Sequence, residues 1–288
     1  MPTIKEYQQK IASLGNTRKI TGSMKMISSI KLQKMTKLRE TAKPFVDTCA
    51  ELPAVLSHLG EQEESLFFKG REILKQVHML LVTGDRGMCG RYNKNTIRAM
   101  MYHLSSDQLR NTEVTFSVAG IKGYGYLNRH EKKVDAFYKE AVSLPSWSIA
   151  KTIGEELVER FKSGKADEIW VTASRKVGAF SEEPEVKRLL PVDLAGVKED
   201  GHLDCLIEEP IGVLIERTVR LYLQCSVYNI LIQSAIAEHA ARMSAMDNAS
   251  NNCDRLLGQY TQLRNRARQA VITTELNEIV TGKEALEA

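Results

Sequence analysis

The sequence predicts a mixed α/β fold in which two long terminal helices wind into an antiparallel coiled coil around a central α/β domain. Three observations predict it. Residues from Thr3 to Lys43 contain no proline and carry apolar side chains three and four apart. The middle of the chain switches to short apolar runs closed by glycine, separated by helical stretches. From Ile211 to Gly282 a four-three apolar spacing runs on without a proline.

The first element is an amphipathic helix within residues 1–58. Ile4, Tyr7, Ile11 and Leu14 open its stripe, and Ile20, Met24 and Ile27 continue it. A break or bend is expected near Pro44 and Pro53. Gly15 and Gly22 each cost a helix up to ~1 kcal/mol relative to alanine, a loss that a partner helix has to offset. Between Arg18 and Lys43 stand eight basic residues and one acid, Glu40. Such a face attracts an acidic partner surface.

The middle region, 75–209, reads as strands at 77–83, 114–119, 134–138, 168–174 and 186–190. Helices are expected near 93–109 and 148–163. Alternation of this kind indicates a mainly parallel sheet in a Rossmann-like α/β domain. The loop Gly84-Asp-Arg-Gly-Met-Cys-Gly-Arg91 follows a strand and precedes a helix, as a phosphate-binding loop does. It lacks both the Gly-Lys-Ser/Thr ending and the GxGxxG spacing. It therefore reads as a structural turn, with Cys89 a packing residue.

The last element spans 210–284. Leu214, Thr218, Leu221, Cys225, Tyr228, Ile232, Ala235, His239 and Arg242 continue through Met246, Ala249, Cys253, Leu256, Tyr260, Leu263, Ala267, Ala270 and Thr274 as one heptad seam. A helix of ~70 residues spans on the order of 100 Å, against ~50 Å for a compact chain of this length. It is expected to project from the globular part. Helix propensity alone does not stabilise such a helix, so the N-terminal helix is its natural partner. The longer C-terminal helix should then outrun that partner and need an outside sleeve.

Composition narrows the function classes. A net charge of +4 is too small to call for nucleic acid. The five cysteines form no CxxC pair, which argues against a disulfide framework or a zinc site and suits a reducing compartment. The scattered histidines show no metal-ligand spacing. No signal core and no run of ~20 apolar residues is visible, so membrane association is expected only through partners. No catalytic set and no cofactor site is expected.

Four stretches resemble a known family. Asn16-Thr-Arg-Lys-Ile-Thr-Gly-Ser-Met-Lys-Met-Ile27, the loop Gly84–Gly90 with Asn93, Glu238-His-Ala-Ala-Arg-Met-Ser-Ala-Met-Asp-Asn-Ala249 and Asn265–Val280 are similar, in this order, to the signatures of bacterial F-type ATP synthase gamma subunits. The resemblance implies a non-catalytic shaft, one copy per complex. It would couple proton or sodium flow through a membrane rotor ring to conformational cycling of the beta subunits. Partners implied are the alpha, beta and epsilon subunits and the c-ring. The implied location is peripheral, on the cytoplasmic face of the bacterial inner membrane. Contacts with the alpha/beta ring are implied at Met24, Lys25, Lys31, Lys34, Cys89, Arg242, Arg268, Gln269, Thr273 and Glu275, and rotor-ring or epsilon contacts at Leu203, Cys205, Ile207 and Glu208. Arg242 is expected to meet the Met24 region or a beta subunit. Arg91 departs from the small or apolar residue usual at its position, and no paired-cysteine insertion is present. The competing readings are a nucleotide-binding α/β enzyme with a helical dimerisation arm and an unrelated coiled-coil adaptor.

Overall fold

The computed structural model describes residues 3–57, 65–71, 73–107, 109–110, 112–178, 182–193 and 209–287. Eleven elements are described: α1 (Ile4–Ser57), α2 (Leu66–Lys69), β1 (Gln76–Val82), α3 (Tyr92–Leu104), β2 (Glu113–Ala119), α4 (Ile121–Arg129), β3 (Val134–Tyr138), α5 (Trp147–Lys162), β4 (Glu168–Lys176), β5 (Glu182–Leu190) and α6 (Ile211–Glu287). The chain divides into two compact units, one formed by residues 1–28 with 243–288, the other by residues 29–242.

In the larger unit the sheet order is β3-β2-β1-β4-β5. The first four of these strands run parallel, and β5 returns antiparallel beside β4. Strands β1 to β4 lie where the apolar runs place them, to within about two residues, and β5 starts earlier than its run, at Glu182. Central β1 explains why its run is continuous rather than alternating: both of its faces are covered. Met79 and Leu81 pack with Phe116, Val118, Met100 of α3 and Leu127 of α4. Leu80 and Val82 face the other way, into a larger core with α5 (Ile153, Leu157, Phe161) and α6 (Val219, Leu223, Val227, Leu231). Ser146 caps α5 by accepting a hydrogen bond from Ile149 N at 3.3 Å. Helix α4 is an addition to the elements that the apolar pattern predicts.

Two expectations about the helices are corrected. Helix α1 runs on through Pro44 and Pro53 rather than stopping at either. Pro44 lacks an N–H, but contacts beyond it hold the helix: Phe45 meets Trp147 edge-on at 5.4 Å and Cys49 is 3% exposed. The single heptad seam of α6 holds in this unit at Cys225, Ile232, Ala235, His239 and Arg242, which are buried, but fails at the start of the helix. Leu221, placed on the seam, is 37% exposed, whereas Ile215, Val219, Leu223 and Val227 are buried. Here α6 serves as a layer of the α/β domain, and the sheet, not a partner helix, selects the buried face. From Leu231 to Arg242 every residue except Gln233 is buried.

The smaller unit is an antiparallel helix pair. A reciprocal capping box starts α1: Thr3 N donates to Glu6 Oε2 at 3.0 Å, and Glu6 N donates to Thr3 Oγ1 at 3.3 Å. Arg18 pairs with Asp254 at 2.5 Å and Lys25 with Asp247 at 2.6 Å. Tyr7 meets Tyr260 with ring centroids 6.3 Å apart, and Lys10 lies over the Tyr260 ring. Rising numbers on α1 against falling numbers on α6 give the direction. Met246 and Cys253 are buried in this unit, as the seam requires.

Candidate functional site

The N-terminal helix presents a surface different from the one its periodicity implies. Thr21 is 8% exposed, whereas Ile20, Met26 and Ile27 are exposed by 55% or more. Thr21 Oγ1 donates to Arg18 O at 3.0 Å, so its hydroxyl is satisfied within the helix. A small side chain lets the paired helix come close, and the bulky residues are left outside. Met24 is half-buried and Lys25 is exposed. Exposed Ile20, Met26 and Ile27 are thus apolar contact candidates, although the apolar stripe places Ile20 and Ile27 in the interior. A Cβ added at Gly15 or Gly22 would meet nothing within 4 Å, so neither glycine is required by packing.

At the other end of this unit α6 runs out of partners. Extending the pairing register of Arg18 with Asp254 puts the start of α1 opposite residues near 268. From Arg268 to Lys283 every residue of α6 is exposed. Arg268, Gln269, Thr273 and Glu275 lie here, with the Thr273 hydroxyl donating back to Gln269 O at 2.9 Å. Val271, Ile272, Leu276, Ile279 and Val280 stand exposed on the same stretch.

In the larger unit, Lys31 and Lys34 are exposed on α1 and enter no ion pair among the described residues. Cys89 and Arg242 are not surface residues. Arg242, 6% exposed, pairs with Glu238 one turn back, donates from Nε to Gly87 O at 3.3 Å and lies 3.2 Å from His239 Nδ1. A charge on the seam is tolerated because it is neutralised and hydrogen-bonded in place. Burial pushes the Glu238 carboxyl up while Arg242 opposes the shift. Burial, aided by the Arg242 charge, lowers His239 to about 4, so the ring stays neutral. Cys89 packs with Tyr92, Ala237 and Ala241, and burial raises its thiol. The four implied contacts Leu203, Cys205, Ile207 and Glu208 lie outside the described residues.

The loop after β1 is built as a turn. Gly84 N donates to Asn93 Oδ1 at 2.9 Å, and Asn93 Nδ2 donates to Cys89 Sγ at 3.1 Å. Asp85 accepts from Ile121 N, Glu140 N and the Ser143 hydroxyl. The strand order reverses between β1 and β4, which in open α/β sheets is where a nucleotide sits. Here α6 fills that place. A Cβ at Gly84 would lie 2.7 Å from Glu238 Cδ, the Ser234 hydroxyl donates to Ser174 O, and the Tyr92 hydroxyl donates to Ser234 O. Buried His78 bridges the hydroxyls of Thr115 and Ser117 at 2.7 and 2.8 Å, with desolvation lowering it to about 4, and faces no opening. Among the described residues no three His, Cys, Asp or Glu side chains converge as metal ligands, and no helix is long and apolar enough to cross a membrane.

Comparison with known proteins agrees with this geometry. The ATP synthase family model matches residues 3–286. An ATP synthase gamma chain from Syntrophobacter fumaroxidans is 33% identical over 293 residues, covering 99% of each chain. One from Aquifex aeolicus is 33% identical over 287 residues, covering 99% of this chain and 98% of that one. Among solved structures, a chain of the Euglena gracilis mitochondrial ATP synthase (OSCP/F1/c-ring, rotational state 3) aligns with a TM-score of 0.69 at 18% identity, over 98% of this chain and 94% of that one. A chain from the central stalk and c-ring of the Tetrahymena thermophila enzyme aligns with a TM-score of 0.63 at 22% identity, over 80% and 99%. These last two are likenesses of fold. The sequence matches run nearly end to end, and the chain belongs to the ATP synthase gamma-chain family.

Proposed function

We propose that this chain is the central rotor shaft of an F-type ATP synthase, a non-catalytic subunit that transmits rotation from a membrane ion-driven ring to the catalytic beta subunits. The observation that carries the reading is the unpartnered end of α6, where Val271, Ile272, Leu276, Ile279 and Val280 are exposed along one helix. Five large apolar side chains on a bare helix are a liability in water unless another molecule encloses them. A ring of subunits around the helix supplies such a sleeve. A shaft needs no active site, and the crevice where a nucleotide would bind is taken by α6 itself.

The contact residues then divide by exposure. Met24, Lys25, Lys31 and Lys34 face the ring from the first helix, and Arg268, Gln269, Thr273 and Glu275 from the end of α6. The Lys25–Asp247 pair is half-exposed and weak, so the lysine is free to exchange partners during rotation. Cys89 and Arg242 act from inside, by holding the loop after β1 against α6. Epsilon and the c-ring are assigned as further partners. The complex lies at the cytoplasmic face of the bacterial inner membrane.

The test is capture of the tagged chain from its native membranes. Recovery with alpha, beta, epsilon and c subunits in a complex holding one copy of this chain is expected. Recovery without alpha and beta rejects the shaft. Replacing Leu276, Ile279 and Val280 together by glutamine should leave the melting of the isolated chain unchanged, since exposed substitutions usually stay within ~0.5 kcal/mol. The same variant should lower the thermal stability of the assembled complex.

A further inference from the structure

Helices α3 and α4 lie side by side on the face of the sheet opposite α5 and α6, and a groove of about 460 Å³ runs between them. Its charged lining is entirely basic: Lys94 and Arg98, one turn apart on α3, and Lys122 and Arg129, two turns apart on α4. All four are exposed. Lys94, Arg98 and Lys122 enter no ion pair among the described residues, and Arg129 spends its Nε–H on Gly125 O at 2.9 Å. The carboxylate of Asp85, which meets the start of α4, is already engaged by Ile121 N, Glu140 N and the Ser143 hydroxyl. Four cations facing one groove without a counter-charge repel one another and focus a positive potential there.

The groove is not only charged. Ile97 and Tyr126 line its floor between the cations. One turn beyond Arg98 on the same helix, Tyr102 is 83% exposed, an unusual place for so large an apolar surface. From Lys94 to Tyr102 the α3 stripe rises ~12 Å, or more than two helical turns. A basic rim over an apolar floor of that length matches the face of an amphipathic acidic helix, with carboxylates along its edges and aliphatic side chains at i and i+4. A free phosphate compound would use the cations but leave Ile97 and Tyr102 without a role.

We propose that the α3–α4 groove is a docking surface for an acidic amphipathic helix of a neighbouring subunit, separate from the contacts assigned above to α1 and α6. The proposal rests on the reading of this chain as one subunit of a larger assembly. Charge complementarity supplies specificity and orientation, and the exposed tyrosine supplies the apolar anchor.

The experiment places a photo-crosslinking amino acid at Tyr102 or at Lys122 of the full chain within the assembled complex, followed by mass spectrometry of the adducts. Adducts on a helical segment of another subunit with net negative charge are expected. They should fall at least tenfold when Lys94, Arg98 and Arg129 are changed together to glutamate, and survive when the charges are kept as Lys94→Arg, Arg98→Lys and Arg129→Lys. Adducts on a neutral or basic segment, adducts on nucleic acid or lipid, or none beyond this chain itself in a complex that assembles, overturn the docking proposal alone. A chain that does not assemble with any other subunit overturns both this proposal and the functional reading.

Discussion

Replacing Arg242 with methionine separates an internal role for this residue from an outward one. Its side chain is 7% exposed and that of Glu238 is 2% exposed. Glu238 Oε2 has no hydrogen-bond partner, so the carboxylate depends on Arg242 at its other oxygen. Methionine preserves most of the volume of the stem and removes the charge. Breaking a buried pair by deleting one partner costs about 3–5 kcal/mol, because the remaining charge is stranded. For the larger unit, of roughly 200 residues, that corresponds to a fall in melting temperature of about 10 °C. The loss of the bond from Arg242 Nε to Gly87 O adds to it and loosens the loop after β1. Removing both charges, as Glu238→Gln with Arg242→Met, should recover most of the loss, with a coupling energy of about 2 kcal/mol or more in the double-mutant cycle. The deficit of the single variant should also shrink at pH 5. Its Glu238 carboxyl, already raised by burial, rises further without Arg242 and takes up a proton in the folded state, which relieves the stranded charge. The assay is denaturant unfolding of the isolated chain at pH 7 and pH 5. A single-variant loss below about 1 kcal/mol, or a coupling energy near zero, refutes the internal role and returns Arg242 to the surface contacts.

Two further outcomes follow from the same geometry. Gly15→Ala and Gly22→Ala place a methyl group in open space within a helix, so each should stabilise the helix pair by about 0.5–1 kcal/mol, read as increased helicity and a higher melting temperature. Buried His78 titrates near 4 in the folded chain against about 6.5 when unfolded. Its depressed value means that the unfolded chain binds the extra proton. Its contribution is therefore fully present above pH 6.5 and is lost as pH falls toward 4, amounting to about 2 kcal/mol lost by pH 5. His78→Gln should be less stable at pH 7 yet show a shallower acid limb, and identical slopes for the two proteins would reject the assignment.

Much of this architecture is legible in the order of residues. Strand β1 declares itself as Val77-His-Met-Leu-Leu-Val because a central parallel strand is buried on both faces and carries no alternation. The length of α6 is written in the absence of proline between Ile211 and Gly282. Its two signature stretches, around Glu238 and around Asn265, are specific enough to indicate the family. The loop after β1 is also readable as a turn, because a phosphate loop needs residues that it lacks. The site is less legible. Ile20 and Ile27 read as interior and are exposed, while Thr21 and Ser28 are buried. Arg242 reads as a seam residue that meets the Met24 region or a beta subunit, and its buried pair with Glu238 is not visible in the spacing.

What the sequence by itself determined is therefore the kind of most elements, though not α4 or the full extent of α1 and β5, since backbone period and proline placement are local properties. It also determined family membership, which depends on residue identity in order. What only the tertiary structure decided is which face of each long helix is covered. Adjacent helical faces differ by a rotation that several periodicities satisfy equally well, and the choice falls to whatever packs there. In the smaller unit a closely approaching helix admits Thr21 and excludes Ile20. In the larger unit the sheet claims Val219 and Leu223 and leaves Leu221 outside. Burial is a property of the pair of surfaces, and a single chain read in order contains only one of them at a time.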